Sequence, residues 1–422
     1  MTEPIKIDNT GEMIAAIPAM LSFVPSQSVV LVFLAGNRLS HIARMDFGEM
    51  DHPLVTAAIK RSNDTEGVYV IVVAENRTFH EVLDESERVI AMLLGGGADV
   101  WGSFYTPSIR GGETWTDMRG LFETGTVPDP ATTQVGAATV LNGRTIARDR
   151  SELTARYRRK DSVTVTDRRR ARAAKETMGE EFASIIIREL AELVSTRTTP
   201  DSALAARVGL LLTTDIHARD AILGLAVIDP NVASETMEAI ASKLRTRERV
   251  AALTVAGFFA YVNFQGPAAG SAFTAAREEA TQHPLCDTRM LGLLEQALTA
   301  GLHPTMIRKL AGTGVRIARE KFRVELPAPA ATGSDTTTQA RPPESLVPGA
   351  SPVALERRSG IEPDRRWRTS YSAQHRHAHA IRDRRAPHRR GTRNRPPTTA
   401  TGTHSHRSRS LRARSHSDGC RA

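Results

Sequence analysis

The chain reads as an α/β N-terminal domain followed by an all-α helical domain, with a disordered basic C-terminal tail. Three observations predict this. Over residues 1–143, β-branched runs alternate with segments of helical period; from residue 177 onward helix follows helix, each with its own start signal; and the positive charge sits at the end. Residues 341–422 hold 19 arginines, no lysine and 6 acids, so a net charge of +9 for the whole leaves residues 1–340 at −4. The basic balance belongs to the tail and says nothing about the fold.

The first strand predicted is Val29 to Leu34, a β-branched run ended by the turn residues Ala35, Gly36 and Asn37. His41 to Phe47 follows at hairpin distance. Pro53 opens a helix to about Lys60, and Val68 to Val73 is an unbroken apolar run of the kind buried on both faces of a sheet. A helix is expected from Phe79 to Leu94, closed by Gly95, Gly96 and Gly97. Val100 to Tyr105 and Glu113 to Thr116, joined across Gly111 and Gly112, make an aromatic-rich hairpin carrying Trp101, Tyr105 and Trp115. This α/β sheet domain, residues 1–143, holds 9 basic and 18 acidic residues.

Residues 144–176 reverse that balance, with 12 cations against 5 acids, and form a basic connector that is helical in parts. A helical bundle domain is expected over 177–325. Thr199-Pro200 precede Leu204, Val208 and Leu211, and Asp229-Pro230 precede Val232, Met237, Ile240 and Leu244, each a cap and proline followed by apolar spacings of three and four. Arg249 to Val262 is apolar nearly all round, so it is the buried helix of the bundle. Gly266-Pro267 begin its partner, with Ala272, Phe273, Ala276 and Ala280 before a stop at Pro284. Helices over about Thr288 to Ala300 and Pro304 to Leu310 complete it. The stretch Arg249 to Pro284 has a tetratricopeptide-like cadence, but a solenoid needs at least about three copies and one is present, which favours a compact bundle.

The tail, 326–422, has too few large apolar residues to offset the ordering entropy of about 1–2 kcal/mol per residue. Its arginine, histidine, proline, serine and threonine are what a GC-rich gene yields when read out of frame, and the abrupt change after Leu355 favours a frameshift over a native arm. Two cysteines, Cys286 and Cys420, exclude a disulfide framework and fit a reducing, cytoplasmic setting. The apolar stretch Met13 to Leu34 reaches spanning length but is broken by Pro18 and Pro25 and by Ser22, Ser26, Gln27 and Ser28, so no membrane segment is expected.

Two segments carry a family resemblance: Ala16 through Leu34, with a helix, a Phe23-x-Pro25 turn, Ser28 and a strand; and Arg219-Asp220-Ala221 together with the run from Gly257 to His303-Pro304. They resemble the actinobacterial domain-of-unknown-function family DUF4192 over roughly residues 5–310. The resemblance implies the domain plan and a bacterial cytoplasm. It brings no activity, cofactor or catalytic residue.

Among polar clusters, Asp215, His217 and Asp220 start a helix, and His217 and Asp220 one turn apart are the acid/base or metal candidates; capping by Asp215 is the stronger reading. His283 and Cys286 supply two ligands where zinc takes three or four, so no metal site is expected. Gly95-Gly-Gly97 and Ala311-Gly-Thr-Gly-Val315 lack the lysine and hydroxyl of a phosphate loop and read as caps or loops. The Phe23, Pro25, Ser28 turn reads as a helix-to-strand corner before it reads as a binding loop. In the connector, Arg158, Arg159, Lys160, Arg168, Arg169 and Arg170 are candidate phosphate contacts, weighed against a solvated helix face. The favoured function is a non-enzymatic protein-interaction or scaffold role through the helical domain. The alternatives are an enzyme, hydrolytic or nucleotide-dependent, with its site between the domains, and nucleic-acid binding through the connector or tail. No cofactor and no oligomeric state follow from the residues.

Overall fold

The strands assemble into one mixed sheet in the computed structural model, which describes residues 5–7, 9–35, 38–49, 66–120, 123–141, 143–160, 162–327 and 353–355. They are β1 (Ile5–Ile7), β2 (Ser28–Ala35), β3 (Arg38–Asp46), β4 (Gly67–Val73), β5 (Val100–Thr106), β6 (Thr114–Asp117), β7 (Thr124–Thr126) and β8 (Val353–Leu355), in the order β1-β8-β3-β2-β4-β5-β6-β7. All lie in one compact unit, Met1–Ile361; a second unit, Glu362–Ala422, falls outside the described residues. So do the expected Pro53–Lys60 helix, the Gly36-Asn37 turn and the expected tail apart from residues 326–327 and β8.

β2 pairs antiparallel with both β3 and β4, and β4 runs parallel to β5. Strand period two divides the apolar side chains between two faces. Val30, Val32, Leu34, Ile71 and Val73 meet Met13, Ile14 and Ile17 of α1 (Thr10–Leu21), while Val29, Leu31, Phe33, Val70 and Val72 meet Val82, Val89, Ile90 and Leu93 of α2 (Phe79–Gly95). Helices on both faces explain why β2 and β4 read as continuous apolar runs. Pro18 sits inside α1 and does not end it; the break comes at Ser22, in the left-handed region at φ 65°. Asn9 caps α1 and a Thr78–Glu81 capping box starts α2. The aromatic hairpin forms as expected, with Trp115 edge-on to Phe104 at 5.7 Å, and gains β7 as a third strand too short to recognise by period.

Beyond the sheet come α3 (Gln134–Leu141), α4 (Arg150–Ala155) and α5 (Val165–Met178), then α6 (Glu181–Thr196), α7 (Ser202–Thr214), α8 (Ile216–Ile222), α9 (Pro230–Lys243), α10 (Thr246–Val262), α11 (Gly266–Thr281), α12 (Arg289–Thr299) and α13 (Pro304–Phe322). Every residue of α10 from Ala252 to Val262 is buried, among them Phe258 and Phe259, each contributing about 1.5–3 kcal/mol by burial. Asp229 caps α9 ahead of Pro230 as expected, but α7 starts two residues later than Thr199-Pro200, because Asp201 takes the amide of Leu204. One apolar cluster is continuous from α1 and the sheet face through Leu153, Tyr157 and Val163 into the helical half.

The largest correction is α13. It continues twelve residues past Leu310, through Ala311-Gly-Thr-Gly-Val315, which therefore is neither a cap nor a loop. Gly314 serves packing: a Cβ there would lie 2.5 Å from the Gly224 amide nitrogen and 2.6 Å from the Asp220 carbonyl oxygen. The helix rests its backbone directly on the 3-10 turn Leu223–Val227 and the end of α8, a closeness that a side chain forbids.

Candidate functional site

The Asp215 cluster resolves into local structure. Asp215 accepts the amides of His217 and Ala218 at 2.9 and 3.0 Å as the N-cap of α8, and Asp220 accepts two bonds from the neighbouring Arg219 guanidinium at 3.0 and 2.8 Å. His217 is exposed, and the side-chain bonds to Asp220 come from Arg219. His283 lies 3.8 Å from Glu279, and among the described residues no group of three or more His, Cys, Asp or Glu side chains is gathered to hold a metal.

The Phe23 turn is a corner that seats the connector. Val24 donates to the Ala147 carbonyl and Ala147 donates to that of Ser22, while buried Ser28 donates to the Ser26 carbonyl and accepts from Arg44 at 2.9 Å. Gln27, at φ 45°, ties the corner to the next loop by donating to the Glu75 carbonyl at 2.7 Å.

The connector's cations divide by direction. Those facing inward are taken up by the bundle: Arg144 donates to Asn263, Arg156 pairs with Glu238 at 3.0 Å and Arg168 with Glu248 at 3.3 Å, while exposed Arg159 reaches back to buried Glu279 at 3.8 Å. The backbone follows, with the Lys160 amide on the Ser242 carbonyl and the Val163 amide on that of Lys243. Glu238 is 7 % exposed and receives Arg156, the Tyr157 hydroxyl at 3.3 Å and the Ser234 hydroxyl at 3.0 Å. Burial pushes its carboxyl above the usual glutamate range, and Arg156, Ser234 and Tyr157 pull it back only in part. Burial, then the Glu238 charge, likewise raises the Tyr157 hydroxyl. The Tyr157 carbonyl accepts from buried Arg249, which pairs with Glu279 at 3.2 Å, so a line of buried charge clamps residues 156–159 between α9, α10 and α11. Such pairs are costly to build and costly to break. Arg158, Lys160, Arg169, Arg170 and Arg172 face outward and are exposed.

A further charged surface lies on α13, beyond the Leu310 end expected for this helix. Ile307, Ala311, Gly314 and Ala318 form its buried stripe. On one flank Met306, 53 % exposed, Leu310, 45 % exposed, and half-buried Ile317 fall in a row at spacings of four and seven. Beside it Lys309 and Arg316, seven apart, form a second exposed row, without an ion pair among the described residues, while exposed Arg319 lies farther round the helix, away from Met306. Exposed Leu302 leads into the helix and exposed Leu293 lies on α12. The signal was available as Lys309, Arg316, Arg319 and Lys321 with Glu320 as the only acid of the helix, but it is visible only once the period is carried through Gly312 and Gly314.

Together these parts define a class of protein: a sheet-containing N-terminal region, with helices on both sheet faces, followed by a run of helices that shares one continuous core with it. The chain belongs to the family described as domain of unknown function DUF4192, whose model matches residues 11–305. No curated protein and no solved structure matches it. No helix among the described residues is long and apolar enough to cross a membrane.

Proposed function

We propose that this chain acts through protein contacts as a non-enzymatic interaction or scaffold protein, and that α13 presents the partner-facing surface. The observation that carries the reading is the pair of rows on that helix: Met306, Leu310 and Ile317 beside Lys309 and Arg316. Exposed apolar side chains aligned with cations match a partner helix with an apolar row and an acidic row, the arrangement that sets pairing between helices. We propose further that residues 1–143 and 177–325 work as sheet and helical domains around the 144–176 connector, in the cytoplasm.

The test is a titration of the intact chain with a labelled amphipathic peptide of about four heptads, leucine in one row and glutamate in the next. Binding is expected to weaken about tenfold or more in Lys309→Glu/Arg316→Glu and in Met306→Ser/Leu310→Ser. Equal binding of a peptide with scrambled rows overturns the reading. Nucleic-acid binding is the second reading, favoured by exposed Arg158, Lys160, Arg169, Arg170 and Arg172. It requires duplex DNA affinity that falls steeply with salt and is lost on reversing the α5 arginines.

A further inference from the structure

A cavity of about 470 Å³ opens at the connector seam, with one wall made by positions 235, 238, 239 and 242 of α9, a single stripe of the helix, and the other by residues 145–160. Its size suits a small organic molecule. Glu238 forms the buried floor, and its two oxygens already accept from Arg156, Tyr157 and Ser234.

What the protein leaves unspent is informative. Arg156 uses Nε and Nη2 on Glu238, and Nη1 has no partner among the described residues. The Lys160 ammonium has none either, since only its backbone amide is engaged. Glu235 accepts from Asn231 through Oε1, and Glu152 accepts the Arg148 amide through Oε2, leaving one oxygen of each carboxylate open. Two donors that are always or usually cationic and two carboxylate oxygens therefore line the same cavity. A simple anion placed there meets Glu152 and Glu235; a simple cation meets Arg156 and Lys160. A molecule carrying both charges satisfies both pairs.

We propose that this cavity is a binding site for a small zwitterion, a free amino acid or short peptide, its carboxylate on Arg156 Nη1 and Lys160 and its ammonium on Glu235 and Glu152. The buried Arg156–Glu238 pair is then a positioning device: it fixes the guanidinium with one edge inward and the other toward the cavity. This site is separate from the α13 surface, and neither proposal requires the other.

The experiment is calorimetric titration of the full chain with dialanine, with dialanine blocked at the amino end, blocked at the carboxyl end, and blocked at both. Dialanine is expected to bind, and each block to weaken it about tenfold or more, as loss of a charged hydrogen-bond partner does. Lys160→Ala and Glu235→Gln, both at exposed positions, are expected to weaken it to a similar degree with unchanged thermal unfolding. Lys160→Ala should distinguish the free from the blocked carboxyl end less than the parent chain does, while Glu235→Gln keeps that distinction in full. No heat from dialanine up to tens of millimolar, equal binding of the doubly blocked peptide, or competition by acetate or methylammonium as effective as dialanine overturns the proposal.

Discussion

α5 and α13 are both basic helices on the surface of the same bundle, and they spend their charge in opposite ways. In α5, Arg168 turns inward to Glu248 at 3.3 Å and Lys175 donates to Thr214 at 2.7 Å, while Arg169, Arg170 and Arg172 face solvent with large apolar side chains exposed only at the two ends, Val165 and Met178. In α13 the inward face is wholly small or apolar, and the outward face sets Met306 and Leu310 beside Lys309 and Arg316. Charge density alone does not separate the two. What separates them is that α5 exposes charge that water solvates well, whereas α13 exposes apolar area that water solvates poorly, with charge set beside it.

The largest expected effect lies where the connector's inward cations meet the bundle. Glu238→Ala leaves Arg156 partly buried without its partner and is expected to cost about 3–5 kcal/mol, read by denaturant unfolding. Glu238→Gln keeps an oxygen for the guanidinium and costs less. It also changes the pH dependence: the Glu238 carboxyl is raised in the folded chain, so its titration adds stability below the ordinary glutamate range that is lost as pH rises through the folded value. That slope should vanish in the glutamine variant. An unchanged slope would mean that Glu238 is not the buried group described.

A smaller effect separates the two sides of α5 itself. Arg168→Ala is expected to lower stability by about 1 kcal/mol, since its pair with Glu248 is only partly shielded, and Arg169→Ala by less than about 0.5 kcal/mol. Equal losses would erase the distinction between latched and solvated cations on this helix.

Much of the α/β half was legible because burial on both faces of a sheet writes itself into consecutive residues: Val29 to Leu34 and Val68 to Val73 became β2 and β4 with a shift of a residue at their ends. Helix starts were legible where a cap and proline coincide, as at Asp229-Pro230, and less so at Pro200, where the cap is the following Asp201. Three things were not legible. Gly314 looks like a helix stop, because the reason for it is the backbone of Gly224, ninety residues away. The pairing of Arg156 with Glu238 and of Arg168 with Glu248 spans some eighty residues, so no local pattern distinguishes these arginines from Arg158 and Arg170. The cavity at the seam needs both the connector and α9 in place, and neither segment alone hints at the other. Asp215 was legible as a cap because that role is local, needing only the next three amides.

The most direct test of the central claim is to install a photo-crosslinking residue in turn at Leu310, at Met306 and, as the comparison, at Arg170 of the full chain, and to irradiate the cells that express it. The account predicts one discrete protein adduct shared by positions 306 and 310, absent at 170, and lost when Lys309 and Arg316 are reversed to glutamate. Adducts at 170 with none at 306 or 310 would contradict it, and would move the partner surface from α13 to α5.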